Sequence, residues 1–571
     1  MAPTPSARGM HRLVLPCLLA LALAPLASAA STTSPTFGTA GTPVFDLYAA
    51  PSSLRSSGGA GEPSIGIPWD SNHAFYQAFS STYKVVFDDA RLTDGRPAAE
   101  WTDVSPVFTR TNVDPMLLAD HVSNRVWAGG LEGACSLMGM SDDDGATWVP
   151  AGNMCNFAQF DHQSIGAGKW SASPLPRATV YSRATYYCSQ LQQDVPLAGS
   201  SPGTACTTSP DGGLTWLPFA EVLGGCGGLH GHIRVSEVTG TAAVPDASCH
   251  TGEGSPVPGG VVTAGPNRIG FGYTTDNGVT WSSRTMPTSV SAPGGFDPSL
   301  DFSRQSGWLY LAQADQNGLH VAMSKDEGGA WEQLGGATPG VEPAPWLNLS
   351  AAYHDPVSGA PIKFATFADT LTGDDQRAAI AFLGATDPAG RHPFGNPATD
   401  VTGQNYLDPC PKDADPNVWH PYLAQTFDAG QGWTVTRLSE DPIQVGSIWD
   451  GGGGVDCRNL LDFAGIDMDA HGRIHIALAD GCQDRCAQKH ADWRAGKGPA
   501  PEGKDSRAAH ATILRQTTGL GLFAKDDGMG GAGPGGSGAT AGTATGKGTP
   551  GLGLAPLAVA LAAGLALRRR R

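Results

Sequence analysis

The sequence predicts an all-β fold, a β-propeller of seven four-stranded antiparallel blades, with six blades as the alternative. Three observations lead there. One eight-residue string recurs five times with fixed offsets, the 571 residues include 77 Gly and 44 Pro but only 16% charged residues, and seven short strings have the form of a strand that opens a blade. Turn residues in such number, in a chain too long for one small core, point to many short strands, and regular repetition points to a radial or solenoid array.

The repeated string is Ser141-x-Asp143-x-Gly145-x-Thr147-Trp148, followed by Ser209-x-Asp211-x-Gly213-x-Thr215-Trp216, Thr274-x-Asp276-x-Gly278-x-Thr280-Trp281, Ser324-x-Asp326-x-Gly328-x-Ala330-Trp331 and Thr426-x-Asp428-x-Gly430-x-Gly432-Trp433. A type I turn between antiparallel strands needs small polar residues and a position with φ > 0, which Asp and Gly supply. The acid accepts from turn amides, the hydroxyl ties the loop back, and the Trp starts the next strand facing inward. The string is thus a structural staple for a hairpin.

A four-stranded blade takes roughly 40 to 50 residues. The inner strands are expected to open at Glu62-Pro-Ser-Ile-Gly-Ile, Asp114-Pro-Met-Leu-Leu, Asp161-His-Gln-Ser-Ile-Gly, Gly231-His-Ile-Arg-Val, Asp297-Pro-Ser-Leu-Asp301, Asn348-Leu-Ser-Ala-Ala and Asp462-Phe-Ala-Gly-Ile-Asp467. The long interval between the fourth and fifth staples then holds one blade with an insertion around 388–415. The last segment, 465–478 plus 511–517, is one strand short, and residues 43–48 are expected to supply it and close the ring.

The five staples resemble the Asp-box, or BNR, repeats of sialidases and related propellers over roughly residues 62–436. The resemblance implies the fold, and it implies that the staples lie on the face away from any active site. Sialidases hold their anionic substrate with three arginines, cleave with a Tyr/Glu pair and an Asp acid/base, and carry the first arginine in a Phe/Tyr-Arg-Ile-Pro string. That string is missing here: His232-Ile-Arg234-Val and Asn267-Arg268-Ile-Gly lack both the aromatic residue and the proline. Arg183, Arg234, Arg377 and Arg458 are the candidates for a triad and Tyr186 or Tyr187 for a nucleophile, and nothing in the sequence selects among them. The strings around Asp161, His230 and Asp462 are similar to secreted prokaryotic proteins of the sialidase family that have no established substrate.

The chain has 53 acidic and 36 basic residues, a formal charge of −17, and no clustered positive footprint, which excludes nucleic acid as the expected partner. Residues 1–29 have the basic start, apolar run and Ala-Ser-Ala end of a secretory signal. A flexible segment is expected over 30–42, the propeller over 43–520, a Gly/Ala/Thr-rich linker over 521–551 and an apolar tail ending in four arginines over 552–571. Thr549-Pro550-Gly551-Leu552 resembles prokaryotic surface-sorting tails that begin Pro-Gly-Phe, with Leu in place of Phe. The expectation is an exported monomer tethered to the cell surface. Ten cysteines remain after the signal, an even number that favours disulfides in an exported chain. Neighbour pairing gives 135–155, 188–206, 226–249, 410–457 and 482–486, and Cys482-x-x-x-Cys486 could instead be half of a zinc site.

Equivalent openings would bring Glu62, Asp114, Asp161, Asp297 and Asp462 to one end of the channel, joined by His162, His230 and His232. Such acids are costly together unless a cation or amides compensate, so Ca²⁺ is the cofactor they suggest. The plainer reading is that Asp-Pro and Glu-Pro shape turns. Asp161 with Asp462 or Glu62 is the candidate catalytic pair for glycoside hydrolysis; Asp114, His162, His230, His232, Asp297, Arg377 and Arg458 are the candidate binding residues. The expected role is recognition of an extracellular glycan or protein at the channel mouth, with a glycoside hydrolase, exo-sialidase first, as the alternative.

Overall fold

The computed structural model describes residues 37–528 apart from 110–112, 134, 153, 156–158, 174–178, 192–202, 224–225, 227–229, 250–267, 289–296, 316–317, 336–344, 387–417, 447, 449–458 and 462. The expected signal, the terminal tail, Arg458, Asp462 and the 410–457 cysteine pair lie outside the described residues.

Seven antiparallel sheets, each built on a four-strand path, form seven blades. Their inner strands are Ser64–Gly66, Val113–Ala119, Gln159–Gly168, Arg234–Val235, Ser299–Phe302, Phe364–Thr372 and Gly465–Met468. Each inner strand touches the next, and the seventh touches the first, so the ring is closed. Small residues permit the approach: a Cβ on Gly66 would lie 2.6 Å from the Ala119 nitrogen of the neighbouring blade. The core is divided in the same way. One cluster of buried apolar side chains fills each of the seven junctions between blades, as Phe75 with Leu117, Ala119 and Val126 does between the first and second.

The seventh blade is completed from the other end of the chain. Phe45–Ala49 pairs antiparallel with His510–Gln516, Phe45 opposite Gln516 and Tyr48 opposite Ile513, as the missing strand required. One opening is corrected. Leu347–Asn348 is the outer strand of the fifth blade, paired with Gly318–Ser324, and runs into a short helix, Leu349–Ala352. The sixth blade opens instead at Phe364, in an unbroken buried run (Phe-Ala-Thr-Phe-Ala-Asp-Thr-Leu-Thr) that follows Pro361-Ile362-Lys363. Past residue 520, Leu522 and Phe523 are still buried in the core between the sixth and seventh blades.

All five staples connect the third and fourth strands of blades two to six, hence one face of the ring. Their geometry repeats, except that Ala330 and Gly432 stand at the last Thr position and donate only their amides. In the third blade the Ser209 hydroxyl donates to Asp211 Oδ1 (2.9 Å) and accepts from the Gly213 amide (2.7 Å), while the Thr215 amide and hydroxyl donate to the two Asp211 oxygens (2.7 Å each). The residue between Asp and Gly is left-handed in every copy, Asp144, Gly212, Asn277, Glu327 and Ala429. That residue also rivets its blade to the one before. Asp144 takes Ser71 and His73, the Gly212 carbonyl takes Arg125, the Asn277 side chain takes the Ser171 amide, and Glu327 takes Thr241. The tryptophans pack across the same junctions, Trp281 on Tyr186 and Trp331 on Phe271.

Four disulfides are present among the described residues, Cys135–Cys155, Cys188–Cys206, Cys226–Cys249 and Cys482–Cys486, so the last pair is a cross-link rather than half of a zinc site. No helix among the described residues is long and apolar enough to cross a membrane.

Candidate functional site

The inner strands enclose an axial cavity of about 80 Å³, and both ends of these strands contribute to it. Its wall alternates apolar side chains (Ile165, Ile233, Leu371) with polar ones (Gln163, His232, Arg234, Asp301, Asp369). Three axial aspartates are latches between blades. Asp301 accepts the Thr372 amide at 2.8 Å, Asp369 the Ile466 amide at 3.2 Å, and Asp467 the Ile67 amide at 2.8 Å. Each carboxylate thus accepts an amide from the neighbouring blade, which compensates for its burial near the axis.

Ion pairs cross the axis as well. Arg234 of the fourth blade reaches Asp369 of the sixth at 3.2 Å, and His232 stands 3.8 Å from the same carboxylate. Burial pushes the Asp369 carboxyl up, but the Arg234 guanidinium and His232 outweigh it and hold the group below its ordinary range. Toward the stapled face, Arg183 forks onto Asp120 (2.8 Å twice) and bonds Glu237 (2.8 Å). Arg304 donates to His121 Nδ1 at 2.9 Å, so the His121 Nε2–H is the donor to Asp467 at 2.8 Å, and Trp69 stacks on that imidazole at 4.4 Å. This end is a closed network of mutually neutralised charges.

The opposite end, where the inner strands begin, is the one expected to form the mouth. The Phe463 ring lies edge-on to His162 (6.2 Å) and His232 (5.0 Å), and His162 Nδ1 is 3.1 Å from Asp297. Behind them His230 is buried and donates Nδ1–H to the Gly231 carbonyl at 2.9 Å; burial, then the neighbouring His162, pull its pKa down to about 3. Asp246, fully buried and bonded by Thr204 at 2.9 Å, is pushed well above the carboxylate range by desolvation.

The structure therefore brings His162, His230, His232 and Asp297 together. Glu62, two residues ahead of its strand, and Asp114, the second residue of its strand, occupy left-handed positions (φ 54° and 44°), and the cavity wall starts after them. Asp161 lies in the strand Gln159–Gly168. Arg377 belongs elsewhere: it sits in the hairpin between the first two strands of the sixth blade, bonded to Asp527 and the Gly521 carbonyl. Tyr186 and Tyr187 are buried in the junctions between blades, Tyr187 hydrogen-bonded to Ser136 at 2.7 Å, and burial pushes the Tyr187 phenol up to about 12. No tyrosine is among the described residues that line the cavity. Asp120, His121, Glu237 and Arg304, which do line it, come from hairpins on the stapled side that sequence reasoning passed over; Asp301 and Asp467 stood inside two of the opening strings. Among the described residues the one close group of three metal-type ligands is Cys226, Asp246 and Cys249, whose sulfurs are joined to each other.

The chain matches no protein-family model, and no curated protein matches it significantly. Among solved structures it is similar to the six-bladed fucose-binding lectin of Aleuria aurantia, at 11% identity and a TM-score of 0.35 over 65% of this chain and 93% of the lectin. It is also similar to Trypanosoma rangeli sialidase, at 11% identity and a TM-score of 0.34 over 82% of this chain and 60% of the sialidase. The molecule is thus an all-β, seven-bladed propeller with lectin and sialidase propellers as distant structural neighbours.

Proposed function

We propose that this protein is a glycan-binding propeller that holds its ligand at the mouth and does not cleave it. The observation that carries the reading is the partly exposed Phe463 ring, edge-on to His162 and to His232, with His232 also part of an axial wall of alternating polar and apolar groups. An apolar face flanked by convergent donors and acceptors is how a concave site holds a polyhydroxylated ring. Against hydrolysis stands the state of the arginines: Arg183, Arg234 and Arg304 are each spent on carboxylates or imidazole within the protein, and no tyrosine is among the described residues of the wall. The paired cysteines suit an oxidising compartment, and with the sequence-level signal and tail they support a place on the cell surface.

A glycan array probed with the purified protein, with and without chelator, tests the reading together with fluorogenic glycosides that include a sialoside. Binding without turnover is the expected result. Release of the fluorophore at the rate of an enzyme overturns it in favour of a hydrolase. Binding abolished by chelator would add a Ca²⁺ role for the carboxylates of the mouth.

A further inference from the structure

Gln163 lines the axial cavity, is only 3% exposed, and has no hydrogen-bond partner among the described residues for either its Oε1 or its Nε2. A buried amide unsatisfied at both ends is a cost the fold does not keep without use. The other blades show that the fold has no need of it. Glu62, Asp114 and His162 share a left-handed conformation at or near the start of their inner strands, and the residues that follow them are Pro63, Pro115 and Gln163. Where two blades carry an apolar ring, the third carries a primary amide.

We propose, building on the glycan-binding reading, that Gln163 is the ligand-contacting amide of the cavity and that the ligand is a neutral sugar. Adjacent hydroxyls of a pyranose complete the amide, one donating to Oε1 and the other accepting from Nε2. Next to Gln163 in the wall, His232 and Arg234 come from the neighbouring blade, so the sugar edge meets donors on one side and Asp369 beyond them. Neutrality follows from charge: five carboxylates (Asp120, Glu237, Asp301, Asp369, Asp467) line the cavity against three guanidiniums, Arg234 and Arg304 in the wall and Arg183 behind Asp120 and Glu237. The surplus repels a sialic or uronic acid, and the guanidiniums that would hold one are already paired.

The test uses the full chain and titrates neutral oligosaccharides beside their sialylated and uronic-acid counterparts, for the wild type, Gln163→Leu and Gln163→Ala. The expected result is binding of neutral sugars, weakened about tenfold or more in both variants, with melting temperature unchanged or raised because a buried unpaired amide is gone. Undiminished affinity in both variants, a fall of several degrees in melting temperature, or a preference for acidic sugars overturns the assignment while leaving glycan binding standing. A wild type that binds no glycan overturns the parent reading itself.

Discussion

Arg183 offers a direct measure of how the axis is held. Replacing it with Met keeps much of the side-chain length and removes the cation. Asp120, 3% exposed, then loses both arms of the fork, keeping only Ser123 at 2.6 Å and the Val122 amide at 3.3 Å, and Glu237 loses its bond at 2.8 Å. Breaking a buried pair by deleting one partner costs about 3–5 kcal/mol. Glu237 is part-exposed and has Arg304 at 3.8 Å, which argues for the lower end, about 3 kcal/mol at pH 7. The pH dependence carries the sharper test. Burial alone would raise the Asp120 carboxyl, but the Arg183 fork and charge, with Ser123 and Val122, hold it below its ordinary value. A depressed folded pKa gives stability that is present above the unfolded value, about 3.9, and is lost as pH falls through the folded one. In Arg183→Met the desolvated carboxyl loses its compensation and titrates higher, so the gap between the two proteins narrows on acidification toward about pH 4. Urea midpoints from about pH 7 down to about pH 4, with Arg183→Met/Asp120→Asn recovering part of the loss, measure it. A loss below about 1 kcal/mol, or a gap that stays constant over that range, refutes the reasoning.

Two further outcomes are expected. Burial first, then the neighbouring His162, depress the His230 pKa to about 3, while the unfolded imidazole titrates near about 6.5. The unfolded chain therefore binds an extra proton between these values, and stability falls as pH drops through that window. His230→Phe should flatten the slope of stability against pH by about 1.4 kcal/mol per unit there, and an unaltered slope would show that the group is not buried neutral. Deleting residues 37–49 removes the strand that pairs with His510–Gln516 and with it buried Phe45 and Tyr48. Calorimetry should then show a lower and broader unfolding transition, and an unchanged melting curve would mean that the ring does not depend on its clasp.

The staples were legible because their information is local, and the clasp because the last blade is visibly incomplete. A Ser-x-Asp-x-Gly-x-Thr-Trp string closes its own hydrogen bonds within eight residues, and a terminal blade one strand short can only be completed by a strand elsewhere in the chain. The riveting position was not legible, since Asp144, Gly212, Asn277 and Glu327 are not one residue type and gain their role from the blade before them. The axis was harder still. Asp301 and Asp467 were in view inside their strings, but a latch onto Thr372 or Ile67 depends on where a neighbouring strand passes, which spacing along the chain does not encode. Arg377 looked like a cation available to a ligand because its partner, Asp527, is 150 residues away. The sixth blade was misplaced at Asn348 because a fully buried strand carries no alternation of polar and apolar residues.

The clasp also sets an order of events. During synthesis the strand Phe45–Ala49 emerges early, yet its partner His510–Gln516 is made last. Six blades can stack as they appear, each on its predecessor, but the first is left with one flank bare and a solitary strand dangling until the end of the chain arrives. Such a distant pairing is slow to find, and an unpaired edge invites other chains in the meantime. Maturation of this protein should therefore be limited by the joining of its two ends, and the species most prone to clump should be a nearly complete ring that has not yet shut.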